Sequence, residues 1–187
     1  GKGELITATF PSLPPDTGRV SVKFGPYYSS TDNAAAIELD VGEAVRSIDR
    51  SSHQDLQKIP VAQTFSVGEG QYQFTALMVR DVFDPTQATF DLVIEPRNEA
   101  AMRTPLLGAS PHSQVKLSDD LGTTYVFLVG DKSFRPSDEF KLQREIFSFT
   151  GMPHPGATTF FLNISETGEI KKGPWTFEVD TSAYSSR

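Results

Sequence analysis

The sequence predicts an all-β protein, an immunoglobulin-like antiparallel β-sandwich with an N-terminal partial repeat. Three observations carry this. Apolar side chains recur at every second position through most of the chain, turns rich in Gly, Pro and Asp punctuate it at short intervals, and helical periodicity is weak. Successive residues of a strand point to opposite faces, so period-2 alternation marks a segment with one dry face and one wet face.

Taken in order, Val20, Val22 and Phe24 alternate with Ser21 and Lys23 and form the first strand. Gly25-Pro26 reads as a turn with Tyr27-Tyr28 at a hairpin tip, and Ile37-Glu38-Leu39-Asp40-Val41 reads as a closing strand. Val45 to Leu56 is polar and reads as a linker with a single helical turn at most. Gln63–Val67 leads through Gly68-Glu69-Gly70 into Tyr72, Phe74 and Ala76-Leu77-Met78-Val79. Phe90, Leu92 and Ile94 follow, bounded by Asp84-Pro85 and Pro96, and Asn98–Met102 suits another helical turn. Further strands fall around Gln114–Leu117, Tyr125–Val129, Phe140–Phe149, Thr158–Ile164 and Trp175–Val179. Asp119-Asp120-Leu121-Gly122 and Pro153-His154-Pro155-Gly156 supply turns, through local side-chain capping, fixed φ or positive φ.

The residues this pattern sends to the core are Val20, Val22, Phe24, Phe65, Tyr72, Phe74, Leu77, Phe90, Leu92, Ile94, Tyr125, Phe127, Phe147, Phe160, Leu162, Ile164, Trp175 and Phe177. An internal repeat at an offset of 140 residues organises the ends. It lays Val20, Val22 and Phe24 on Phe160, Leu162 and Ile164, and Ile37–Asp40 on Phe177–Asp180, without a gap. The expected organisation is a partial repeat of three strands over residues 1–43, a linker over 44–58, and a full sandwich over 59–187 with about seven strands. Three strands cannot bury an apolar face alone. They must pack onto the second unit, the arrangement expected here, or complete a preceding domain.

Composition narrows the function. Hydrophobic residues make up 37% of the 187 residues, and fourteen Phe make a packed core possible because each ring removes a large area from water. The net charge of −7 comes with scattered Lys and Arg, which disfavours nucleic acid as a partner. With no Cys there are no disulfides, thiolate nucleophiles or Cys-bound zinc, and no apolar run approaches the ~20 residues of a membrane span. Gly1-Lys2-Gly3 reads like the start of a fragment, so any membrane attachment is expected through a segment outside this chain.

No catalytic constellation is evident. His53, His112 and His154 lack the spacing that aims two imidazoles at one metal. Gly108-Ala109-Ser110-Pro111-His112 sets a Ser near a His, but Pro111 removes an amide that an oxyanion hole could use. Phosphate-cradling glycine loops are missing. Asp119-Asp120 and Asp138-Glu139 are the densest acid pairs. Asp119-Asp120 reads as turn chemistry, with a weak calcium site as the other reading. Tyr27 and Tyr28, at their tip, are the candidate contact residues for a partner. No catalytic, cofactor or metal residue is expected.

Gln63–Val67 running into Tyr72–Ala76, Asp119-Asp120-Leu121-Gly122-Thr123-Thr124-Tyr125, and Gly173-Pro174-Trp175-Thr176-Phe177 give residues 59–181 a layout of their own. It resembles the immunoglobulin-like extracytoplasmic domains of unknown function found in Gram-positive bacterial proteins, including anti-sigma-factor-like membrane proteins. The resemblance implies an extracytoplasmic, non-enzymatic module for sensing, assembly or protein contact, with no catalytic residues to carry over. The alternative is a carbohydrate-binding accessory domain of a secreted enzyme, in which exposed aromatic rings would stack on sugars.

Overall fold

The computed structural model describes residues 19–51, 55–82, 84, 87–108, 114–134, 141–171, 173 and 175–181. They form thirteen strands and two short helices: β1 (Arg19–Phe24), β2 (Tyr27–Ser30), β3 (Ala35–Asp40), α1 (Gly42–Arg46), β4 (Leu56–Val67), β5 (Gly70–Arg80), β6 (Thr89–Pro96), α2 (Glu99–Arg103), β7 (Val115–Asp119), β8 (Thr124–Tyr125), β9 (Phe127–Phe134), β10 (Leu142–Thr150), β11 (Thr159–Ile164), β12 (Gly168–Lys171) and β13 (Trp175–Asp180). Pairing among the described strands is antiparallel throughout. The protein is an all-β sandwich.

The chain divides into two compact units, Pro26–Lys172 and the two ends Gly1–Gly25 with Gly173–Arg187. The larger unit contains a five-stranded sheet of order β4-β5-β6-β10-β9, a four-stranded sheet of order β3-β11-β7-β8, and the ribbon β2–β12. Both sheets feed one core. Phe90 on β6 stacks on Phe149 of β10 at 5.5 Å, meets Tyr125 of β8 edge-on at 5.1 Å, and lies 5.7 Å from Phe160 of β11. Edge strand β4 carries Pro60, a residue that sheets accommodate on edge strands and at irregularities because it cannot donate to the ladder, and its register slips between Pro60 and Gln63.

In the smaller unit, the described residues form the ribbon β1–β13. Val20, Val22 and Phe24 face Val179, Phe177 and Trp175, while Arg19, Ser21 and Lys23 face Asp180, Glu178 and Thr176. One face of the ribbon is therefore apolar and the other polar, as the alternation predicts.

The structure corrects the expected organisation in two places. Of residues 44–58, the described ones include most of α1 and the start of β4 and are not a linker. Ala44, Val45 and Ile48 are buried on and just after α1, and with Val41 they make a stripe at helical spacing that is too short to stand out in a polar stretch. Nor does a boundary fall between residues 43 and 59, because β3 lies in the four-stranded sheet, where Phe160, Leu162 and Ile164 face Leu39, Ile37 and Ala35.

The 140-residue offset also has a different origin from a repeated hairpin. It maps β1 onto β11 and β3 onto β13, and the fold pairs β1 with β13 and β3 with β11. Partner numbers add to 199 in both ladders, as for Phe24 with Trp175 and Ala35 with Ile164. Each ladder must set apolar residues opposite apolar residues, and that shared demand is what the sequence repeats.

Of the expected core, Tyr72, Phe74, Leu77, Phe90, Leu92, Ile94, Tyr125, Phe147, Phe160, Leu162 and Ile164 are buried. Val20, Val22, Phe24, Phe65, Phe127 and Trp175 are half-buried, and Phe177 is 54% exposed. Those seven lie on the outermost strands of the larger sheet or on the two-stranded ribbon, which among the described strands have a neighbour on one side only.

Candidate functional site

Strand β10 alternates so that Glu145, Phe147 and Phe149 all turn inward and are fully buried. An acid thus occupies a position in a row that otherwise holds rings. In an antiparallel sheet directly opposed residues share a face, and Glu145 is opposed by Lys132 on β9 and Ile94 on β6. Lys132 is therefore carried to the same side as the acid.

What both charges meet is the segment Thr104–Gly108, which leaves α2 and crosses this face as a strap. Helix α2 is fixed at its start by Asn98, whose side chain accepts from the Ala101 amide at 2.9 Å. The strap is then held link by link. Tyr72 Oη donates to the Thr104 carbonyl, and the Gly168 amide donates to the Pro105 carbonyl at 2.7 Å. The Leu106 and Leu107 amides donate to Glu145 Oε2 and Oε1, each at 2.8 Å. Lys132 Nζ donates to the Gly108 carbonyl at 3.2 Å and to Tyr28 Oη at 3.0 Å, and lies 4.2 Å from the Tyr28 ring centroid. Leu107 packs so closely over Gly130 of β9 that a Cβ there would come within 2.4 Å of the Leu107 side chain.

Burial pushes the Glu145 carboxyl up to about 7, against the Leu107 and Leu106 amides and the charge of Lys132, which favour its ionised form. Burial lowers Lys132, with Glu145 and Asp131 acting the other way. Tyr28 and Tyr72 are both raised, first by burial and then by the Glu145 charge.

This places both candidate contact residues away from their expected position. Tyr27 and Tyr28 do not sit at a hairpin tip. They lie on β2, opposite Lys171 and Ile170, and both are half-buried. The Tyr28 ring lies against Gly168, where a Cβ would come within 2.2 Å of it. Gly168 to Lys171 is a strand that alternation alone does not reveal, because its four residues hold one apolar side chain.

The acid pair Asp119-Asp120 forms a turn at the end of β7. Asp119 accepts from the Leu121 amide at 3.1 Å, the Thr123 amide at 2.8 Å and Tyr125 Oη at 2.7 Å. Asp120 accepts from the Thr158 amide at 3.0 Å and from the Thr158 hydroxyl. Hydrogen bonds from Thr158 draw the Asp120 carboxyl down to about 2, and Asp119 is also lowered because its hydrogen bonds outweigh its burial. Their oxygens serve the turn and tie it to β11. Among the described residues no group of three His, Asp or Glu side chains gathers as metal ligands. His154 sits in its turn with Nδ1 accepting from the Gly156 amide at 3.2 Å. His53, Ser110, His112, Asp138 and Glu139 lie outside the described residues.

A different surface stands open. Strand β9 is an edge of the five-stranded sheet, and on and beside it Val126, Leu128 and Val129 are 66%, 50% and 58% exposed. Leu121, in the preceding turn, is 54% exposed. A strand around Tyr125–Val129 is legible in sequence as an apolar run, but which strand lies at a sheet edge depends on pairing. No protein-family model, curated protein or solved structure matches this chain.

Proposed function

We propose that the chain is a non-catalytic interaction or sensory module, displayed extracytoplasmically as part of a bacterial surface or membrane-anchored protein, and that it binds a protein partner. The observation that supports this reading is the exposed apolar row of Leu121, Val126, Leu128 and Val129 at the open edge of β9. Soluble proteins commonly blunt such edges with charges, bulges or proline. The opposite edge β4 has Lys58, Pro60 and a register slip, whereas the first half of β9 carries neither a lysine nor a proline and has only a one-residue register shift at Leu128. An edge of this kind accepts an extended segment as an added strand, main chain giving affinity and alternate side chains giving specificity.

The reading moves the contact surface from Tyr27 and Tyr28 to β9. The accessory carbohydrate-binding alternative calls for a strip of exposed rings, and among the described residues Phe177 is the one exposed aromatic side chain. Polar chemistry agrees with a binding role, since Asp119, Asp120 and Glu145 spend their oxygens on backbone and hydroxyl donors. The test is selection of displayed random decapeptides on the immobilised chain, repeated with the Val126→Lys, Leu128→Lys double variant. Enriched peptides with alternating apolar residues that bind only the unsubstituted chain are expected. Failure to enrich, or equal binding to the variant, overturns the reading.

A further inference from the structure

We infer that Glu145 and Lys132 form a proton-operated clamp on the strap Thr104–Gly108, whose grip on the strap backbone changes with the protonation of Glu145. The inference stands on the strap geometry and is independent of the binding role proposed above.

The argument starts from the donor count. A carboxylate has acceptor sites on both oxygens, and here each oxygen takes one amide, Leu106 on Oε2 and Leu107 on Oε1. Adding a proton removes the negative charge and makes the protonated oxygen a weaker acceptor, so its hold on one of the two amides loosens. Lys132 grips the other polarity of the same backbone, through the Gly108 carbonyl. The acid thus holds strap amides while the base holds a strap carbonyl, from opposed positions on neighbouring strands.

The remaining groups facing the acid are few. Lys132 comes from β9, with Asp131 beside it in sequence; Tyr72 comes from β5 and Tyr28 from β2. Both tyrosines stay neutral near pH 7, since both are raised. Glu145 changes charge in that range, where burial sets it at about 7. A fully buried acid could have been satisfied as a neutral group by one acceptor and one donor. Two amides and an ammonium arranged around it favour the ion, and burial opposes them, so the two forms lie close in free energy.

The test follows the Glu145 side-chain carboxyl and the Leu106 and Leu107 amides by NMR between pH 5 and pH 9, in the whole chain. All three should titrate together with a midpoint near 7, and protection of one of the two amides from exchange should fall on the acid side. In Glu145→Gln the amide titration should vanish. In Lys132→Met, which removes the neighbouring positive charge and keeps an apolar stem, the Glu145 midpoint should move upward. A Glu145 midpoint at or below the ordinary carboxyl range overturns the inference. So does an amide titration that survives Glu145→Gln, or an unmoved midpoint in Lys132→Met.

Discussion

Lys132 and Glu145 face each other directly across β9 and β10, and each turns its charge onto the backbone of the same strap, Lys132 toward the Gly108 carbonyl and Glu145 toward the Leu106 and Leu107 amides. Their positions make the stability of the sandwich depend on pH in a definite direction.

Glu145 has its folded pKa raised from 4.5 to about 7. The folded state then holds this proton more tightly than the unfolded chain does. The resulting stability is fully present below the unfolded value and is lost as pH rises through about 7. Urea unfolding of the wild type should show a decline on the order of 3 kcal/mol between pH 4.5 and pH 8 from this group. Glu145→Gln should lack that slope and should be less stable than the wild type at pH 5, where its amide nitrogen confronts a strap N–H. An equal slope in the variant would assign the decline to other groups.

Asp120 titrates in the opposite sense and in a separate window. Its carboxyl is drawn down to about 2 by the Thr158 hydroxyl and amide, so its contribution is present above the unfolded value and lost as pH falls through about 2. Calorimetry of Asp120→Asn should give a lower Tm than the wild type at pH 5, with the two curves converging toward pH 2. Asp119 behaves likewise in direction, but its loss should be larger at neutral pH. Asp119→Ala strands the Tyr125 hydroxyl and the Leu121 and Thr123 amides, at about 1–3 kcal/mol. A calcium-dependent Tm in the wild type that Asp119→Ala abolishes would restore the calcium reading of this turn.

Phe90 and Phe177 separate the two kinds of apolar position that the sequence presents alike. Phe90 is fully buried against Phe149, Tyr125 and Phe160, so Phe90→Ala should cost about 3–5 kcal/mol. Phe177 is 54% exposed and keeps one edge-on contact with Phe24 at 5.7 Å, so Phe177→Ala should cost about 1 kcal/mol or less. Comparing the two by urea denaturation checks the division, and a matching large loss at Phe177 would place it in a covered core.

That pair also shows how far the fold was legible in sequence. Alternation fixes which residues share a face, and it placed Tyr72, Phe74, Phe90, Phe147 and Phe160 correctly inside. It cannot say how many layers cover the face, because that depends on partners distant in sequence. Phe177 and Phe160 have the same local pattern, yet among the described strands β13 has only β1 beside it while β11 lies between β3 and β7. Ala44, Val45 and Ile48 read as linker and Val41 as the end of a strand because the helical stripe they form together is barely longer than α1. The polar cluster was harder still. Glu145 looks like one more charge in Gln143-Arg144-Glu145, and only the register slip between Leu142 and Arg144 and the pairing to Lys132 turn it inward. An acid set in phase with Phe147 and Phe149 was the one available signal.

Tyr28 supplies the sharpest contrast with a surface-tip reading, under which replacing Tyr27 and Tyr28 by Ala would leave stability nearly unchanged. In the structure the Tyr28 hydroxyl accepts from Lys132 Nζ and its ring lies under that ammonium and against Gly168. Tyr28→Ala should therefore destabilise by about 2–4 kcal/mol, combining lost ring burial with a lysine left short of a partner. Gly168→Ala should also destabilise, by about 1–3 kcal/mol, since the new Cβ would come within 2.2 Å of the ring and the ring must shift away from Lys132. The two effects share one contact and cannot add. In the Tyr28→Ala background, the ring that the new methyl would strike is gone, so Gly168→Ala should cost little or become stabilising. A double-mutant cycle read by chemical denaturation should return a coupling of about 1–3 kcal/mol. Additive losses would mean that the Tyr28 ring does not rest on Gly168, and would return Tyr28 to the surface.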